Sequence, residues 1–141
     1  MEAVSSYDKS VAEFKKRIVG QTIKEVNEDS LVLDNGTVLE LYQSDHDCCA
    51  GAWAEFKVLD ADNLHAGITD VDFRCSEWGR EDDYDDSYGT ELTITILHNQ
   101  NPIVHGNCMA DAGNGGYYFS VLSLRVKVKD EEVFNGEILS S

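Results

Sequence analysis

Two adjacent cysteines, Cys48 and Cys49, closely follow His46 in the run "DHDCCAGAW". Residues of these types support three chemistries. Thiolates and neutral imidazoles can complete a tetrahedral zinc shell, paired thiols can cycle between dithiol and disulfide, and an unpaired cysteine can pack as a small hydrophobe. Zinc would need further ligands from Cys75, His98, His105 or Cys108. The spacing argues against it, because structural zinc half-sites separate their cysteines and neighbours on an extended chain point to opposite faces. A redox thiol needs cations nearby to favour its thiolate, whereas Asp45 and Asp47 oppose it. Packing is therefore the expectation for Cys48 and Cys49: one thiol in the core and the other near a sheet edge or bend, where "AGA" favours tight backbone packing and Trp53 covers it. No metal and no cofactor is expected.

A second stretch, "ADAGNGGYYFSVLSLRV", offers a different chemistry. A glycine-rich turn exposes backbone N–H groups that can meet an anion, and an aromatic face can stack a base. Asn114, Gly115, Tyr117 and Tyr118, helped by Arg74, Arg80 or Arg125, are thus candidates for holding a nucleotide or another small phosphorylated ligand. The alternative is a hairpin entry followed by ordinary aromatic strand packing. The third candidate is the acidic run "EDDYDD", in which Asp82, Asp83, Asp85 and Asp86 form a partner-facing patch. It lacks the alternation and central glycine of an EF-hand loop. No nucleophile elbow, P-loop, paired zinc histidines or dinucleotide fingerprint frames a catalytic residue, so no catalytic site is expected.

The elements that would position these residues are mainly strands. Val11, Phe14 and Ile18 recur at helical spacing, so a short helix is expected over residues 6–19, capped by Ser6 or Ser10 and stopped by Gly20. Period-two alternation follows, and "DNG" at residues 34–36 marks a tight hairpin with Asn35 and Gly36 at positive φ. Further strands are expected at 53–59, 67–74, 91–97, 103–109 and 117–128. "HNQNP" joins two of them, and the polar segment 76–89 reads as a mobile surface loop. Residues 20–128 would form the β core and residues 130–141 a mobile tail. The fold class is mainly β (α+β): a single domain with a short N-terminal helix and seven or eight mostly antiparallel strands, as a sandwich or open barrel.

The length of 141 residues with 42% hydrophobic content suits one domain with its own core. The formal charge of −16 opposes direct nucleic-acid binding through counterion release. The charge is uneven: residues 25–91 carry 19 acids against Lys57, Arg74 and Arg80. No apolar run is long enough to span a bilayer, and the N-terminus lacks the order of a secretory signal, so a cytoplasmic location with free thiols is expected. Uncovered sheet edges invite homo-oligomerisation.

Taken together, "LDNGTVLELYQ", "DCCA" and "GNGGYYFSVLSLRV" resemble a family of small proteins of unknown function found in bacteriophages and prophage regions. In that family "DGT", "DCC" and "NGYYS" elements recur in this order. The resemblance covers residues 20–128 and implies a viral protein acting in the host cytoplasm. The function expected is that of a non-enzymatic acidic binding protein engaging a host or defence protein. The alternatives are sequestration of a nucleotide or phosphorylated signalling molecule, and mimicry of DNA.

Overall fold

A computed structural model describes residues 5–81, 86–114 and 118–141 of the chain. It contains one helix, α1 (Ser6–Ile18), and nine strands: β1 (Ile23–Val26), β2 (Ser30–Leu33), β3 (Thr37–His46), β4 (Ala52–Val58), β5 (Asp70–Glu81), β6 (Asp86–His98), β7 (Asn101–Asn114), β8 (Ser120–Val128) and β9 (Glu131–Ser140). They form two antiparallel sheets in the orders β1-β2-β3-β8-β9 and β4-β7-β6-β5. The architecture is sandwich-like and not a closed barrel. Alternating residues of both sheets meet in one core, with Leu39, Leu41, Leu122 and Leu124 on one side and Phe56, Leu92, Ile94 and Ile96 on the other.

Helix α1 is capped one residue before the expected Ser6. Ser5 is the N-cap, its hydroxyl accepting the Asp8 N–H at 3.1 Å. The buried face of α1 closes one side of the sandwich, where the edge strands β5 and β9 lie. The Phe14 ring meets that of Phe73 edge-on at 5.6 Å, and the Ser10 hydroxyl donates to the Glu137 carbonyl at 2.7 Å. On the other side, the Phe56 N–H of β4 donates to the Glu28 carbonyl in the β1–β2 turn, and the Leu41 N–H of β3 donates to the Asp29 carbonyl.

The "DNG" hairpin is present between β2 and β3, but only Gly36 takes a positive φ, of 89°. Asn35 instead accepts the Thr37 N–H through its side chain at 3.0 Å, so a three-residue loop replaces the two-residue turn. The two-residue reversals lie elsewhere and without glycine: Asn99 and Gln100 link β6 to β7, and Lys129 and Asp130 link β8 to β9, all four at positive φ.

Two expectations require correction. Within the segment 76–89, residues 76–81 and 86–89 are not free loop, since strand pairing runs from Asp70↔Leu97 to Glu81↔Asp86, and residues 82–85 lie outside the described residues. Residues 130–141 are not a loose tail, because β9 pairs along β8 and buries Ile138 and Leu139. No helix among the described residues is long and apolar enough to cross a membrane.

Candidate functional site

The fold brings the two most distinctive sequence stretches to one corner. Strand β3 leaves its sheet at His46, the chain turns through Asp47–Ala50, and β4 begins in the opposite sheet at Ala52. This crossing is pinned to the segment entering β8. The Asp47 N–H donates to the Phe119 carbonyl at 2.8 Å, and the Asp47 carboxylate accepts the Phe119 N–H at 3.1 Å. The end of β7 holds the other side: the Asp111 N–H donates to the Gly51 carbonyl at 2.9 Å, and its carboxylate accepts the Gly113 N–H at 2.6 Å. The Tyr118 N–H then returns to the Ala112 carbonyl at 2.9 Å.

Gly113 has a φ of 73°, and a Cβ there would lie 2.5 Å from the Tyr118 ring and 2.9 Å from the Cys49 carbonyl. The absent side chain leaves the space in which Tyr118 lies against the cysteine turn. The pKa of Tyr118 is raised, chiefly by the negative charge Cys49 would carry. The Cys48 and Cys49 sulfurs are 2.7 Å apart, and both residues are exposed. Cys48 is pushed up, first by its hydrogen bond to Cys49 and less by the Asp47 charge. Either sulfur can be the donor in the contact between Cys48 and Cys49.

Neither thiol occupies the core, contrary to the packing expectation. The turn that crosses between the sheets holds both in solvent, and the buried cysteine is Cys108. Trp53 does not cover the pair either: it is 51% exposed on β4. Of the zinc candidates, His46 engages the Asp47 carbonyl and His98 the Gly67 carbonyl, each through Nδ1. No group of three metal-ligating side chains gathers among the described residues.

The described arginine side chains do not join Tyr118. Arg125 faces out of the β3–β8–β9 sheet, paired with Glu40 and Glu132 at 3.0 Å each and lying 4.1 Å over the Tyr42 ring. Its pKa is raised, chiefly by Tyr42, against a desolvation cost larger than the gain from the Glu40 charge. It stands five residues beyond Ser120, about 17 Å along the strand at the usual rise. Arg74 pairs with Asp72 at 3.0 Å on the distant edge strand β5. Arg80, Asp86 and Asn114 are placed by strand backbone alone. Asp82, Asp83, Asp85, Gly115 and Tyr117 lie outside the described residues.

A second feature was not legible in the sequence. Glu28, Asp29, Tyr42, Gln43 and Trp53 line a groove of about 290 Å³ between β3 and β4. Glu28 and Asp29 are exposed, and the two backbone hydrogen bonds from Phe56 and Leu41 fix the turn that carries them. The exposed Trp53 in a strand reading as amphipathic was the available signal.

These features define a two-sheet, antiparallel β protein with a polar thiol corner and an acidic aromatic groove. The chain belongs to the DUF7448 family, a domain of unknown function, whose model matches residues 15–124. No curated protein and no solved structure matches it.

Proposed function

We propose that this chain is a non-enzymatic binding protein that engages a basic surface of a partner protein through the groove between β3 and β4. The supporting observation is Trp53, 51% exposed beside the carboxylates of Glu28 and Asp29. A large exposed aromatic next to two acids suits a lysine or arginine, which gains from the ring face and from the opposite charge together. The charge of −16 extends that preference over the whole surface and speeds encounter with a cationic partner. The setting we propose is the cytoplasm of a phage-infected host, with a host or defence protein as the target.

Nucleotide sequestration has less support, because Arg74 and Arg125 are engaged by carboxylates and the corner around Tyr118 carries Asp47 and Asp111. DNA mimicry would rest on the run 81–86, most of which lies outside the described residues. The test is a fluorescence titration of the protein with lysine- and arginine-rich peptides, beside acidic controls. Basic peptides should perturb Trp53 emission with a salt-sensitive affinity, and the variant Glu28→Gln with Asp29→Asn should bind several-fold more weakly. In a host lysate, wild-type protein should retain a basic partner that the same variant releases. Equal binding by both proteins, or turnover of a small molecule, would reject the reading.

A further inference from the structure

We propose that Cys48 and Cys49 form a thiol–disulfide exchange site that reacts with small disulfides of the glutathione class and closes to a vicinal disulfide. The geometry separates this from the metal reading. Two thiolates on one tetrahedral zinc, each about 2.3 Å from the metal, stand about 3.8 Å apart. Here the sulfurs are 2.7 Å apart, and no third ligand joins them among the described residues. Both side chains are open to a small reagent. The two sulfurs are in direct contact, so either thiol can attack first and the other then resolves the mixed disulfide.

The reaction balances without any group beyond the small disulfide. With Cys49 attacking first, its thiolate takes one sulfur of that molecule, forming a mixed disulfide and releasing one thiolate. Cys48, having lost its proton to solvent, attacks the Cys49 sulfur and expels the second thiolate. Two electrons pass from the protein to the small disulfide, which leaves as two thiols. Closure outruns release because the second sulfur is already in place. The Cα atoms of adjacent residues are about 3.8 Å apart, below the range of about 4.4–6.8 Å for ordinary disulfides, so the bond is strained and readily reduced. Cys48 is pushed up, first by its contact with Cys49 and less by the Asp47 charge, so closure accelerates as the medium becomes alkaline.

The chain carries its own controls, since Cys75 is exposed and single while Cys108 is buried. The protein is incubated with oxidised glutathione at mildly alkaline pH, quenched with an alkylating reagent, digested and mapped by mass. The peptide holding Cys48 and Cys49 should lose two hydrogens and carry no glutathione, whereas Cys75 should retain a glutathione adduct. Excess reduced glutathione should reverse both changes. Cys48→Ser and Cys49→Ser should each stop at the mixed disulfide, and both variants should fold because both positions are exposed. The wild-type peptide decides the matter alone. A stable glutathione adduct on Cys48 or Cys49, or two unreacted thiols beside a modified Cys75, overturns the proposal.

Discussion

Cys108 lies on β7 between Ala54 of β4 and Leu92 of β6, and burial, with a smaller contribution from Glu91, pushes its thiol up to about 12. Its ordinary value is 9.0, so the unfolded chain ionises first. The neutral thiol's contribution is complete below that value and is lost as the pH rises towards the folded pKa. Each unit between them removes about 1.4 kcal/mol. Urea midpoints measured from pH 8 upward should therefore fall faster for the wild type than for Cys108→Ala, and parallel curves would contradict the assignment. Cys48 and Cys49 have the opposite environment. Replacing both by serine should change stability by no more than about 0.5 kcal/mol, as at other exposed sites. A loss several times larger in chemical denaturation would return them to a packing role. The sequence shows these thiols as equals, because burial depends on which strand face each occupies. Of the acids beside Cys48, only Asp47 adds to its raised pKa, and less than the contact with Cys49, which the sequence did not show.

At the scale of elements, legibility follows how much of each strand faces the core. Helix α1 buries one face, and the first half of β3, and β8 except at Ser123, alternate between buried and partly exposed positions, so their period is visible in the residues. The outer half of the β5–β6 hairpin is not, since Cys75, Ser76 and Glu77 are all exposed and nothing imposes alternation. Strand β9 hides for a related reason: it is an edge strand whose burial is confined to Ile138 and Leu139 near its end. That burial gives a direct test. Ile138→Ala should cost about 2–5 kcal/mol, the usual range for truncating a buried aliphatic side chain. A mobile tail would give almost none, so an unchanged denaturation midpoint would remove β9 from the fold. The meeting of "DCCA" with Gly113, Tyr118 and Phe119 was equally hidden, because it depends on β3 and β8 being neighbours while β4 and β7 pair in the other sheet. Each stretch was recognisable alone; only the strand order makes them one corner.

For the whole molecule, the charge of −16 acts on folding and on association with opposite signs. Like charges on a compact chain repel one another, so the folded state gains when they are screened. A cationic partner is attracted by the same field, so its complex weakens under the same conditions. Raising salt from about 0.01 M to about 1 M shortens the Debye length from about 30 Å to about 3 Å. Across that range the melting temperature of the free protein should rise while its affinity for a lysine-rich peptide falls. Glu28→Gln with Asp29→Asn separates the two effects, since both residues are exposed and belong to the groove but supply only a small part of the total charge. The variant's melting temperature should follow the wild-type salt curve closely, whereas its peptide affinity should start lower and vary less with salt. If instead the variant bound peptide with the wild-type affinity and salt slope, the attraction would belong to the diffuse charge alone, and the groove beside Trp53 would have no part in choosing a partner.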